Sequence, residues 1–454
     1  MMISRITTVL QSLKTAWTAQ LQPEAILAAC EAVGYTEWRD RLLNPVVTVQ
    51  AFLLQILHGN TACRHLPHLS GLTFSASAYC QARAKLPLGV LEHLLKRQGQ
   101  SAYPMALEDG LWHGHRIFFV DGSGCSMPDT PVLQEEFGQP GEQQPGCGFP
   151  VARLLALFHA GTGLLTKLIV SPLNTHELSR VQRIHPTLEP GAVLVTDRGL
   201  SSYAHIALLV QDGLHALMRV GARQIVNFTP HRPFVMPGIR RTPQIKGVPR
   251  SRWIMAQGKQ DQRVEWFKPK TCPPWLDQET FDALPASMVL REVRYQISQP
   301  GFRSRMITLV TTLVDAVRYP KEELAELYFK RWEAETHRAQ LKTTMKMDVL
   351  HCKTVQGVLK ELTVFTLIYN LVRLVMRQSA HHQQVDVERI SFIDALRWLC
   401  ESASGVPLER LCVNRARLNR YEPRVKKRRP KKYPFMNKPR RLIRKGLIRQ
   451  AVGA

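Results

Sequence analysis

Residues 328–342 read YFKRWEAETHRAQLK. At about 100° per residue, Tyr328, Arg331, Glu335 and Lys342 fall at roughly 0°, −60°, −20° and −40° on a helical wheel. A phenol, a guanidinium, a carboxylate and an ammonium thus share one narrow arc. A stripe facing a core would be apolar there. Charged residues three, four and seven apart also occur on solvated helices, where each pair contributes only tenths of a kcal/mol. A carboxylate with cations on either side suits a metal-assisted phosphodiester site, in which the acid holds a divalent cation and the cations hold phosphate. Glu333 falls at roughly 140°, away from the cations, so Glu335 is the candidate ligand.

Two further acids end apolar runs. RIFFVDGSG carries Asp121, with Gly122 and Gly124 behind it, and AVLVTDRGL carries Asp197, with Gly199 behind it. An apolar strand that ends in an acid and then glycine sets a carboxylate at the strand's C-terminal edge, where open α/β sheets build their sites. A lone acid there is usually a turn or a helix cap. Two of them together with Glu335 supply the oxygens that a two-metal site requires.

These residues carry a resemblance to the insertion-sequence-four family of DDE transposases. The family's helix motif is Tyr, two residues, Arg, three residues, Glu, six residues, Lys, and Tyr328, Arg331, Glu335 and Lys342 match it at every spacing. DGSGCSMPDTP resembles the family's first acid block and TDRGLSSY its second. AYCQARAKLP, REVRYQI, FRSRMITLVTTLVD and LTVFTLIYNLVR are similar to further family segments, from about Ala78 to near the C-terminus. The resemblance implies an α/β, ribonuclease-H-like catalytic core interrupted by a β-strand insertion, with a helical N-terminal domain and a basic C-terminal tail. It implies Asp121, Asp197 and Glu335 as catalytic metal ligands for Mg²⁺, with Mn²⁺ as a substitute. It also implies cut-and-paste transposition: end cleavage, a hairpin intermediate and strand transfer, by two-metal phosphoryl transfer. Tyr328, Arg331 and Lys342 are expected to meet DNA. Trp332, at roughly 40° on the rim of the polar arc, is a candidate to stack on an unpaired base. Trp253, Trp266 and Trp275 in the insertion are open alternatives. The implied partners are the terminal inverted repeats, target DNA and a second copy of the chain in a synaptic homodimer, in a bacterial cytoplasm at the nucleoid. A metal-dependent nuclease that does not join ends, or an inactive DNA-binding descendant, would carry much of the same pattern.

The chain has 454 residues, 61 Lys+Arg against 36 Asp+Glu, and a formal net charge of +25. That field points to a polyanion, nucleic acid before membrane. No apolar run reaches the length of a membrane span, and no signal peptide is visible; the start, MMISRITTVLQSLKTAW, reads as a short amphipathic packing helix. The nine cysteines are scattered without a CxxC pair, as suits a reducing compartment. CRHLPHL, with Cys63, His65 and His68, lacks the second ligand cluster of a zinc finger. His113 and His115 read as ordinary surface or interface residues.

Helical spacing in PEAILAACEAV, VVTVQAFLLQILHG and LGVLEHLLKRQ, punctuated by prolines, makes residues 1–105 a helical N-terminal domain. The resemblance implies that it binds transposon ends; it lacks a dense basic run. Residues 106–220 read as the first part of the core: RIFFVD, ARLLALFH, LLTKLIV, AVLVTD and LHALMRV as strands, SYAHIALLVQDG as a helix. Residues 221–316 are proline-rich with β-type runs, the implied insertion. Residues 317–415 resume the core with the Glu335 helix and a strongly apolar helix, and 416–454 form the basic tail. From Arg424 to Arg449 the tail holds 13 basic residues and no acid. Lys426, Lys427, Arg428, Arg429, Lys431 and Lys432, with Tyr433 and Phe435 among them, suit a flexible nucleic-acid arm.

Overall fold

The apolar runs quoted above become the strands of one mixed sheet, covered by helices on both faces. The computed structural model describes residues 21–39, 41–108, 111–141, 144, 146–239, 246–297, 305–401, 411–414 and 438–452. The strands are β1 (Ile117–Ser126), β2 (Val151–His159), β3 (Leu165–Pro172), β4 (Val193–Thr196), β5 (His215–Arg219), β6 (Ser251–Gly258), β7 (Asp261–Phe267), β8 (Ser287–Ile297) and β9 (Arg305–Thr311). Their order is β3-β2-β1-β4-β5-β9-β8-β7-β6. β1, β4 and β5 are parallel, and the other pairings are antiparallel.

β1 and β4 are apolar at consecutive positions because both of their faces are buried. Ile117 and Phe119 of β1, and Val193 and Val195 of β4, join the core beneath the Glu335 helix, whereas Phe118, Val120 and Leu194 join the core on the other face, beneath helix Tyr203–Gln211. That alternation is the two-residue period of a strand. The strands of residues 221–316 do not build a separate sheet: β9 pairs with β5 through Leu217↔Thr311 and continues the same sheet outward to β6.

The N-terminal helices Pro45–Leu57, Ala76–Lys85 and Leu88–Glu108 pack against the long helix Val355–Gln383, and Pro23–Ala32 packs on Pro45–Leu57 and Leu88–Glu108. That helix starts where the Thr354 side chain accepts from Gly357 N, a cap that satisfies one of the free amides of the first turn. Nearly every residue from Val358 to Met376 is buried. Several of its polar side chains are spent on the β2–β3 turn. Asn370 Oδ1 accepts from Leu165 N at 2.9 Å and its Nδ2 donates to Leu165 O at 3.1 Å. The Tyr369 hydroxyl donates to Gly163 O at 2.9 Å. Asn60 Nδ2 donates to Glu361 Oε1 at 2.5 Å, which ties the N-terminal helices to the same element. No described helix is long and apolar enough to cross a membrane.

Candidate active site

β1 and β4 stay in parallel register as far as Phe119↔Val195. Two residues further on stand Asp121 and Asp197. Asp121 is not at the end of its strand, as the sequence suggests. β1 runs on through DGSG to Ser126, because β2 continues to pair with it, Asp121↔Ala156 included. The opening arises on the other side, where β4 stops at Thr196. Asp121 shares a face with Phe119 by strand alternation, and that face is covered by the helix Lys321–Ala339 that carries Glu335. Asp197 follows β4 in an exposed turn, with its Oδ1 accepting from Gly199 N at 2.9 Å.

The three acids and two guanidinium groups share one electrostatic neighbourhood. Burial pushes the Asp121 carboxyl up to about 6; the Arg338 and Arg331 charges oppose that rise, and Glu335 and Asp197 add to it. Arg331 Nη2 donates to Glu335 Oε1 at 3.1 Å. Arg338 Nε lies 3.0 Å from Asp121 Oδ2, and Arg338 Nη1 donates to Gly122 O at 3.3 Å. Asp121 Oδ2 is nonetheless buried without a hydrogen bond, because Nε–H is not aligned with it. Ser123 Oγ, two residues along β1 and hence on the same face, is likewise buried and unbonded.

Tyr328 is buried beside Arg331, whose Cζ lies 5.7 Å from the centre of its ring. Burial raises the Tyr328 phenol, Asp197 adds to the rise, and Arg331 and Arg219 oppose it. Lys342 departs from the wheel. The α-helix ends at Ala339 and residues Gln340–Thr344 form a π-turn, so an angle reckoned at 3.6 residues per turn no longer holds. The Lys342 charge acts on Cys125, four residues beyond Asp121 along β1. Trp332 is half-buried. Glu333 lies off the site, as its wheel position predicts. It lines a cavity of about 1030 Å³ with Lys330 and Glu388.

Three residues near the acids escaped the sequence reading. Arg338 sits at roughly −80° on the wheel, next to Arg331, so its signal was present. Arg219 closes β5, whose Met218 pairs with Thr196, so it lies alongside Asp197. Glu177 comes from the loop after β3. Its carboxylate occupies the space over Gly122 where a Cβ would collide with it, on the face opposite Asp121. Its carboxyl is raised by burial and then by Asp197. No pattern in the sequence connects Glu177 to the two aspartates.

The oxygen donors here, one of them buried and unbonded, fit a hard divalent cation. Among the described residues, though, no three His, Cys, Asp or Glu side chains are already arranged as a metal cage; Asp121 and Glu335 each lean on an arginine instead. Of the other aromatics, Trp266 is buried with Nε1 donating to Glu292 at 3.0 Å, and the Trp253 ring packs 4.4 Å from His231. His115 is spent inside on Gly191 O and the Tyr319 hydroxyl. His113 meets Glu323. Lys426, Lys427, Arg428, Arg429, Lys431 and Lys432, like residues 1–20, lie outside the described residues.

Residues 112–371 match the family model described as transposase DDE domain. The chain is 25% identical over 377 residues to the transposase InsG for insertion sequence element IS4 of Escherichia coli (strain K12), across 79% of this chain and 78% of that one. It is 26% identical over 138 residues to the putative transposase InsZ of the same organism, across 30% of this chain and 46% of that one. A cryo-EM structure of a piggyBac transposase synaptic complex with hairpin DNA aligns with a TM-score of 0.43 and 9% identity, over 84% of this chain and 78% of that chain.

Proposed function

Since the chain belongs to the insertion-sequence-four family of DDE transposases, we propose that it moves its own element by cut-and-paste DNA transposition, with Asp121, Asp197 and Glu335 as the acids of the site. The observation that carries this reading is the junction of β1 and β4. Two aspartates stand two residues past the last parallel pair, and Asp121 feels Asp197, Glu335, Arg331 and Arg338 together. The strand order β3-β2-β1-β4-β5, with β1 antiparallel to β2 and parallel to β4, supports a ribonuclease-H-like core. In this reading β6–β9 constitute the insertion grafted on to β5, residues 1–105 bind transposon ends, and residues 416–454 are a DNA-binding arm.

Asp121, Asp197 and Glu335 would hold Mg²⁺, or Mn²⁺ in its place; a divalent cation supplies there the activation of the attacking oxygen and the neutralisation of the leaving one. The rest falls to the chain. Arg331 has a buried Nε without a partner and a fork-shaped head that suits a phosphate beside the scissile bond. Tyr328 fixes that head from below. Lys342, in the turn after the helix, meets a phosphate near the scissile bond. Trp332 holds an unpaired base while the cut end closes as a hairpin. Two copies act in the synaptic complex, one at each end, in the cytoplasm at the nucleoid.

The test is to incubate the full chain and Mg²⁺ with DNA carrying its element's ends. Cleaved and rejoined products support the reading. Cleavage without joining would make it a nuclease, and binding without cleavage would leave it a DNA-binding protein.

A further inference from the structure

Asp121 and Glu335 are engaged by arginines of one helix, but the two arginines differ in freedom. The Arg331 side chain is 9% exposed and the Arg338 side chain is 38% exposed. Arg331 is fixed between Tyr328 and Glu335. Arg338 reaches across to β1 from the turn after Glu335, with Nε 3.0 Å from Asp121 Oδ2 and Nη1 on Gly122 O. It therefore sets a positive charge against the oxygen that a divalent cation would need, without hydrogen-bonding to it. A guanidinium and a cation cannot both stand at contact distance from that oxygen, since like charges a few ångströms apart repel strongly in a half-buried site.

We propose that Arg338 is a positioning residue that exchanges partners. In the free protein it holds Asp121, and on DNA binding it moves to a backbone phosphate, so that Asp121 becomes available to a divalent cation only when DNA is in place. A guanidinium pairs with phosphate as readily as with carboxylate. Its long stem and exposed head allow the move, whereas Arg331 lacks that freedom. The exchange also accounts for the acids' lying near one another without forming a cage. It links metal loading to substrate and prevents a loaded site from forming on protein alone. The inference rests on Asp121 being a metal-binding acid.

The experiment measures Mn²⁺ binding to the full chain by electron paramagnetic resonance of the free ion. It is done with and without a duplex of the element's end, with the duplex alone subtracted. Wild type, Arg338→Gln, Arg338→Met, Arg338→Lys and Asp121→Ala are compared, each checked for an unchanged melting curve. Without DNA, the Gln and Met variants are expected to bind Mn²⁺ about tenfold tighter than wild type, the scale on which a neighbouring charge shifts a carboxylate's affinity for a cation. Lys, which keeps the charge, stays close to wild type, and wild type gains affinity when DNA is added. If the Gln and Met variants bind like wild type without DNA while Asp121→Ala binds more weakly, the exchange is wrong and the metal assignment stands. If Asp121→Ala binds Mn²⁺ like wild type in every condition, the metal assignment fails and the exchange with it.

Discussion

Arg331 Nη2 and Glu335 Oε1 lie 3.1 Å apart, one turn from each other on the same helix. The two form an i,i+4 pair, which on an exposed helix contributes little to stability. Here it is built against the sheet, with Tyr328 buried below and Asp121 within electrostatic range. Its value is therefore in orientation. The carboxylate is held toward β1, and the guanidinium keeps a donor unspent.

That geometry distinguishes arginine from lysine. Arg331→Lys keeps the charge and loses the fork that spans Glu335 and a phosphate at once. Cleavage of end DNA should fall about a hundredfold, the scale of a misplacement near 1 Å, while end affinity changes no more than a few-fold. Single-turnover cleavage and a binding titration check this, and an unchanged rate would rule out the two-armed role.

Asp121→Ala, Asp197→Ala and Glu335→Ala should each abolish strand cleavage and leave end binding within a few-fold, because metal ligands act in the chemistry and phosphate contacts act in the binding. Glu333→Gln should cut normally, since Glu333 lines the cavity behind the helix. Cutting by Glu335→Ala at the wild-type rate would show that the helix register has been misjudged.

Glu333 should instead make stability depend on pH. Burial, and then the Glu388 charge, push its carboxyl from 4.5 up to about 7. The native state thus binds the proton more tightly than the unfolded chain. Stability is full below the unfolded value and is lost as pH rises through the folded one. Glu333→Gln removes that loss. It should melt like wild type near pH 4 and be more stable at pH 8, by about 1 kcal/mol after allowance for a partly exposed group. Equal melts across pH 4–8 would mean that Glu333 is solvated.

Most of this arrangement was legible because the sequence states it locally. RIFFVD and AVLVTD become β1 and β4, and the spacing from Tyr328 to Glu335 survives as one α-helical face. Most of what failed depends on non-local contact. Whether β1 ends at Asp121 is decided by how far β2 accompanies it. The change of pitch after Ala339, a local feature that the run does not announce, shifts Lys342 from the angle a straight helix would give it. Glu177 reaches the site from a loop more than fifty residues after Asp121, and only the close approach over Gly122 reveals it. The join of β9 to β5 is a matter of sheet topology that no run of residues encodes.

Arg373 of the long helix is paired with Glu388. Arg373 is fully buried, its Nη2 donates to Glu388 Oε1 at 2.5 Å, and its Nε and Nη2 donate to Thr162 O. Burial raises the Glu388 carboxyl, but the His337 hydrogen bond and the Arg373 charge outweigh it and hold the group far below the ordinary carboxylate range. Arg373→Met takes the guanidinium from Glu388, which keeps His337 and is partly exposed, and should cost about 1–3 kcal/mol. The double variant with Glu388→Met should recover part of that loss. Gly163→Ala should also be costly: at φ +66° its Cβ would collide with the Arg373 guanidinium. Denaturant titrations of these variants and of Glu388→Met alone check the assignment, and an additive double variant would show that the two side chains act independently.

The tail is tested by salt. Deleting residues 424–454 removes 13 basic residues and no acid between Arg424 and Arg449. For every duplex phosphate that the protein then leaves unneutralised, the slope of log affinity against log salt becomes shallower by about 0.9. The truncated chain should bind end DNA more weakly, with a shallower slope, and the two affinities should converge as salt rises. Equal affinity at every salt concentration would mean that the tail only aids solubility. Asp121, Asp197 and Glu335 all precede Arg424, so the truncated chain should still cut end DNA at low salt and high protein concentration. If it binds there and does not cut, the tail also helps to assemble the active complex.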